Sequence, residues 1–149
     1  MNTITIEPTR DFLLIRDLFL DYAAALGVDL SFQNFDDELK HLDKWYELIL
    51  VARVDGEAAG CAALRKLERH ICEMKRLFVR SRFRRLGLGH KLAVELIAEA
   101  RRRGFTHMRL DTLPSMKAAM ALYESLGFRE TTAYRFNPIE GSRFLELAL

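Results

Sequence analysis

Between Ile71 and Arg103 the chain reads as an apolar strand, a turn of arginines and glycines, and a long amphipathic helix. This order constrains the fold more than any other stretch. A strand, a helix and a further strand at Met108–Leu110 close a parallel crossover, because such a connection packs the helix back onto the sheet. The helix rests on Leu88, Leu92, Leu96 and Ile97 along one face. Gly104 caps its end, and Arg101–Arg103 sit where the helix dipole favours cations. Three strands come in succession before that helix: Leu48–Val54, then Ala58–Leu64 beyond an Asp55-Gly56 hairpin turn, then Ile71–Val79 after a polar link over Arg65–His70. Consecutive strands followed by a crossover predict a mixed sheet rather than a doubly wound one.

The flanks complete the pattern. Thr3–Ile6 alternates as a short first strand. Arg10–Leu26 carries Phe12, Ile15, Phe19, Tyr22 and Leu26 at helical steps and stops at Gly27. Gln33–Leu42 reads as a second, shorter helix with an acidic start at Asp36, Asp37 and Glu38. Pro114 opens a last helix at the favoured first position, which runs to about Leu126 and stops at Gly127. Phe128–Ala133 and Phe144–Leu149 are closing strands. The expected fold is mixed α/β, with a mostly antiparallel sheet of about seven strands flanked by four helices. With 149 residues and no internal repeat or linker, it is expected as a single domain over 1–149.

No apolar run approaches the ~20 residues a bilayer span needs. The N-terminus lacks the basic and apolar blocks of a secretory signal, so the cytoplasm is the expected location. Cys61 and Cys72 make no disulfide framework, and no Cys/His cluster has metal spacing. They are expected as reduced packing residues on neighbouring strands. His41, His70 and His107 are scattered, and no metal site is expected.

The net charge of +2 conceals a division by segment. Residues 1–47 hold ten acidic and four basic side chains, whereas residues 75–109 hold eleven basic and two acidic. Arg80, Arg82, Arg84, Arg85, Gly87 and Gly89 crowd the turn before the long helix. A glycine-rich turn feeding a helix start aims several unpaired N–H groups in one direction, and the helix dipole adds positive character. Glycine lets a phosphate approach the backbone, and arginine adds charge-assisted contacts. The turn lacks the Lys-Ser/Thr ending of the nucleoside-triphosphate loop and the glycine spacing of the dinucleotide fingerprint. The basic segment carries no interleaved stacking aromatics, so no nucleic-acid partner is expected.

Arg84-x-x-Gly87-x-Gly89 resembles the Arg/Gln-x-x-Gly-x-Gly/Ala motif of the GNAT superfamily of acyl-CoA-dependent N-acyltransferases. Ala119-x-x-x-Tyr123-x-x-x-Gly127-Phe128 resembles a second segment of that family. Cys72–Leu77 and Leu110–Pro114 resemble the corresponding strand and strand-to-helix link of its bacterial single-domain members. The resemblance covers nearly the whole chain and implies acetyl-CoA as co-substrate. It places the coenzyme A pyrophosphate at Arg84 and the backbone of Arg85, Gly87, Leu88, Gly89 and His90, and the pantetheine arm along the backbone of Leu77, Phe78 and Val79, like an added strand.

The resemblance also implies chemistry. A protonated amine is no nucleophile, so a base must take its proton before it attacks a thioester. Glu73 lies eleven residues before Arg84, the spacing of a catalytic glutamate in several family members. Strand alternation puts it on one face with Lys75, Leu77 and Val79; a surface pair with Lys75 or another cation is the alternative. Tyr123 matches a tyrosine that protonates the departing thiolate, and it equally suits a core aromatic. An asparagine common in the family is replaced by Met116, with Thr112 or Ser115 as substitutes for its contact. Trp45 and Tyr46 suit either an acceptor pocket or the core.

The expected activity is direct attack of a small-molecule or peptide amine on acetyl-CoA, with Asp29, Asp36, Asp37 and Glu38 drawing a cationic acceptor. The alternative is a non-catalytic acyl-CoA-binding module. The identity of the amine is open, and the resemblance leaves room for a homodimer through the terminal strands.

Overall fold

The computed structural model describes residues 2–31 and 34–149. The elements, in chain order, are β1 (Ile4–Pro8), α1 (Phe12–Leu26), α2 (Phe35–Lys40), α3 (Leu42–Trp45), β2 (Leu48–Val54), β3 (Glu57–Glu68), β4 (Ile71–Val79), α4 (Leu88–Arg102), β5 (His107–Thr112), α5 (Lys117–Ser125), β6 (Arg129–Glu130) and β7 (Arg143–Ala148). The sheet has seven strands in the order β1-β2-β3-β4-β5-β7-β6. Every neighbouring pair is antiparallel except β4 and β5, the two joined by α4. Among the described residues no helix is long and apolar enough to cross a membrane.

The sheet is buried on both faces. On one, α4 sets Leu88, Leu92, Leu96 and Ile97 against Leu50, Ala62, Leu64 and Met108, and α5 adds Tyr123. On the other, Ile15, Leu18 and Phe19 of α1 pack with Phe35, Leu42 and Tyr46 over Ile49, Val51, Cys61 and Ala63. Asp11 fixes the start of α1 by accepting the Leu14 N–H at 3.2 Å, and Gly27, at φ 67°, ends it. The Asp55-Gly56 turn has φ 51° and 87°, the two positive values a two-residue hairpin needs. Cys61 and Cys72 are buried free thiols in opposite layers, not a facing pair.

Several boundaries depart from the sequence reading. β3 continues to Glu68, because pairing with β4 down to Glu68–Ile71 turns most of the polar link into strand. α5 starts at Lys117, not Pro114, since Met116 N–H bonds Leu113 C=O at 3.0 Å and makes a turn first. The second helix breaks at His41 into α2 and α3, and its expected start at Gln33 lies outside the described residues. β6 holds two residues before the chain leaves the sheet.

The departure that shapes the site lies in β4. Cys61 pairs with Phe78 and Ala63 with Lys75, so Arg76 and Leu77 together oppose Ala62. This is a β-bulge, and Arg76 takes φ 58° to make it. The alternation expected of β4 therefore breaks. Leu77 and Val79 pack on the α4 layer with Met74, whereas Phe78 joins the α1 layer. Glu73 and Lys75 do not share their face. An extra residue moves every later side chain to the other side.

Candidate active site

The phosphate-type turn is built from backbone. β4 ends at Val79, a single 3-10 turn covers Ser81–Phe83, and Phe83 anchors it in the core. Arg85 (φ 72°) and Gly87 (φ 74°) are both left-handed. Gly87 is the N-cap of α4 and gives no side-chain cap, so the first-turn N–H groups lack a capping partner within the chain. Arg84, Arg85, Gly87 and His90 are exposed, while Leu88 is 1% exposed and belongs to the core. A Cβ at Gly87 would meet nothing within 4 Å, so glycine is explained there by its φ and by open access. A run of main-chain donors with no side chain across it fits a pyrophosphate.

A cleft of about 520 Å³ leads inward from this turn, between Leu77, Phe78 and Val79 on one side and Met116, Ala119 and Leu122 on the other. It exists because β4 and β5 pair only from Ile71–His107 to Glu73–Arg109. Beyond Glu73, no register pair joins the rest of β4 to β5. The backbone of Leu77–Val79 thus borders a cleft where an added strand would run. Met116 and Ser115 line the cleft, and Thr112 is 3% exposed with no partner for its Oγ1 among the described residues. A wider concavity of about 690 Å³ lies between α1 and Arg80–Arg84, away from Glu73.

Glu73 stands where the β4–β5 pairing ends, and its side chain is 0% exposed. Its Oε2 accepts the Tyr134 hydroxyl at 2.6 Å and an N–H of Arg135. Its Oε1 is buried and has no partner among the described residues. The ion pair that stood as the alternative, with Lys75 or another surface cation, is made with the partly buried Arg135. Lys75 is 5% exposed, and burial, reinforced by the neighbouring Arg76 charge, pulls its ammonium down to about 8. Asp111 lies close enough to act on Tyr123, Tyr134 and Arg135, and it accepts the Asn137 amide at 3.2 Å.

Tyr123 is 5% exposed and faces a narrow cavity of about 30 Å³ with Met74, Lys75, Leu77 and Asp111. Burial pushes its hydroxyl well above the usual range, and Tyr22 and Asp111 add to the rise. It also packs edge-on to Phe128, so it is both a core aromatic and a cleft residue. No hydrogen bond joins Tyr123 to Glu73 among the described residues.

Glu38 corrects one expectation. It is 0% exposed, with Oε1 accepting Arg76 Nη2 at 2.7 Å and Oε2 accepting both Arg76 Nε at 3.0 Å and Tyr46 at 2.6 Å. Fully engaged with the bulge residue, it cannot draw in an acceptor. Tyr46 is core. Sequence reasoning also missed Tyr134, Arg135 and Arg76. An arginine interrupting an apolar strand was the one signal for Arg76. Tyr134 and Arg135 lie in an aperiodic connection and meet Glu73 from 61 and 62 residues away.

The Acetyltransferase (GNAT) family model matches residues 13–128. The chain belongs to this family. It is 40% identical over 138 residues to an uncharacterized N-acetyltransferase of Schizosaccharomyces pombe, covering 89% of this chain and 85% of that protein. A Klebsiella pneumoniae protein assigned as an acyl-CoA N-acyltransferase superposes with a TM-score of 0.74 at 32% identity, over 100% of this chain and 98% of its own. A Salmonella typhimurium structure solved with its cofactor acetyl-CoA superposes with a TM-score of 0.70 at 25% identity, over 97% and 93%. The chain is an acetyl-CoA-dependent N-acetyltransferase of the GNAT family, with the mixed, mostly antiparallel sheet expected of it. The catalytic alternative prevails over the non-catalytic module.

Proposed function

We propose that Glu73 is the general base of the acetyl transfer, with Oε1 as its working atom. The observation that carries this reading is a buried carboxylate where the β4–β5 pairing ends, with one oxygen anchored and the other without a partner among the described residues. Acetyl-CoA supplies the activated acetyl thioester. Arg84, Arg85, Gly87, Leu88, Gly89 and His90 hold its pyrophosphate, chiefly by main-chain N–H groups, and the backbone of Leu77, Phe78 and Val79 pairs with the pantetheine arm. The acceptor amine is protonated near neutrality, and Glu73 takes its proton directly or through one water. The free amine then attacks the thioester carbonyl, with no acyl-enzyme.

Tyr123 faces the departing sulfur. A thiol near 8.5 leaves readily as thiolate, and a buried tyrosine hydroxyl is reluctant to ionise. Tyr123 therefore serves best as a hydrogen-bond donor to the thiolate. The reading assigns no step to a metal and takes 1–149 as one catalytic domain. It places the enzyme in the cytoplasm, acting on a small-molecule or peptide amine, and is compatible with a homodimer through the terminal strands.

Thiol release against an amine panel tests it. Glu73→Gln should lower kcat by about 100-fold or more, with calorimetric affinity for acetyl-CoA unchanged. A kcat that survives the substitution removes Glu73 from the mechanism.

A further inference from the structure

We infer that the acceptor is an amine carrying its own carboxylate, as an amino acid does, and that Arg135 selects it. The inference rests on Glu73 being the base. Arg135 pairs with that carboxylate and is the accessible member of the pair: its side chain is 20% exposed where that of Glu73 is 0%.

A guanidinium offers five N–H donors in a planar fork that suits a carboxylate. In Arg135 one nitrogen donates to Glu73, and Nε is buried with no partner among the described residues. A buried donor without an acceptor is costly, and a carboxylate oxygen would satisfy it. Lys75 adds a second desolvated cation whose charge and that of Arg135 act on each other. A carboxylate beside them relieves that repulsion. It also competes with Glu73 for Arg135, which frees the Glu73 carboxylate for the amine.

The charges around the site point the same way. Arg76 is matched by Glu38, and Arg109 by Glu146 at 2.8 Å. Glu73, Asp111, Lys75 and Arg135 are the further charges that act on one another there. A zwitterion preserves this balance, placing its amine toward the carboxylates and its carboxylate toward the cations. A polyamine would bring only positive charge next to the buried Lys75 and the partly buried Arg135, a costly arrangement. Of the four acidic residues expected to draw a cationic acceptor, Glu38 is already consumed.

The test is thiol release from acetyl-CoA with the standard L-amino acids, β-alanine and γ-aminobutyrate. Beside them run their carboxamides, the matching decarboxylated amines and spermidine. Wild type should prefer the carboxylates by about 100-fold or more in kcat/KM, against the roughly 10⁴-fold that a site with fully dedicated polar partners reaches. In Arg135→Gln that preference should fall toward unity, whatever happens to kcat through Glu73. Arg135→Lys, which keeps the charge and loses the fork, should fall between. The inference is overturned if amides or decarboxylated amines are used as well as the acids. It is equally overturned if no carboxylate-bearing amine is acetylated, or if the preference survives Arg135→Gln. Failure of the base assignment looks different: Glu73→Gln would then leave kcat unchanged on whichever amine is accepted.

Discussion

The two ends of β4 are built by different means. Past its C-terminal end, Arg84–His90 makes a turn, the proposed donor site, from backbone N–H groups, two left-handed residues and a helix start. Near its N-terminal end, Glu73 sits in a pocket of side chains drawn from β4, β5 and the β6–β7 connection. The turn is local, exposed and insensitive to most side-chain identities. The pocket is long-range, buried and dependent on each partner. Binding a cofactor common to a whole family needs only the first kind of construction. Choosing one acceptor needs the second.

The sharpest way to break the comparison is to remove one buried partner. Arg76→Met leaves Glu38, at 0% exposure, with an uncompensated charge and takes away the residue that shapes the bulge. It should cost about 3–5 kcal/mol, seen as a lower urea midpoint. An effect below about 1 kcal/mol would mean that the bulge does not depend on the ion pair.

Lys75 gives a pH-dependent version. Its folded value, about 8, lies below its ordinary value of 10.5 in the unfolded chain. From about pH 8 to 10 the unfolded state binds more protons, so this group makes stability rise with pH, by on the order of 2–3 kcal/mol, and contributes a constant penalty below that window. The buried thiols of Cys61 and Cys72, pushed up to about 12, act in the opposite sense. The measurement is therefore the difference in urea midpoint between wild type and Lys75→Met across that range. The difference should shift steadily against Lys75→Met as pH rises; a flat difference would place Lys75 at its ordinary value.

At the other end of β4, Gly87→Glu puts a carboxylate and a strained φ into the turn. Calorimetry should show acetyl-CoA affinity falling by about 100-fold, the effect of one like charge on a desolvated phosphate contact. Gly87→Asn, which tolerates the left-handed region, should lose far less. Equal losses would mean that any side chain there blocks the approach of the phosphate, and that neither charge nor strained φ is the cause. The smallest effect is expected at Tyr123→Phe. The lost hydroxyl should lower kcat about tenfold, the worth of one hydrogen bond to a charged leaving group, with acetyl-CoA affinity intact. Thiol release with a fixed amine measures it; an unchanged kcat would make Tyr123 a core residue only.

Much of this was legible in the chain. The succession of strands, the crossover over Leu88–Arg102 and the turn at Arg84–Gly89 each depend on neighbours within a few residues, through helical or strand periodicity and turn chemistry. Glu73 was found only because its spacing to Arg84 resembles a family pattern, and its partners were not found at all. The expected face of Glu73, Lys75, Leu77 and Val79 failed because the bulge at Arg76 is paid for by Glu38, 38 residues earlier. The acidic start of the second helix read as an acceptor magnet, yet Glu38 points into the core. A sequence states which charges exist and leaves their burial unstated.

By itself, then, the sequence determined the order of elements, the mixed sheet, the family and the glycine turn before the long helix, because main-chain hydrogen bonding and apolar periodicity act over short separations. Only the tertiary structure decided which carboxylate is buried, which of its oxygens lacks a partner among the described residues and which cation pairs with it. Those properties depend on desolvation and on pairing between residues distant in sequence. They arise only when β4, β5, α2 and the β6–β7 connection converge.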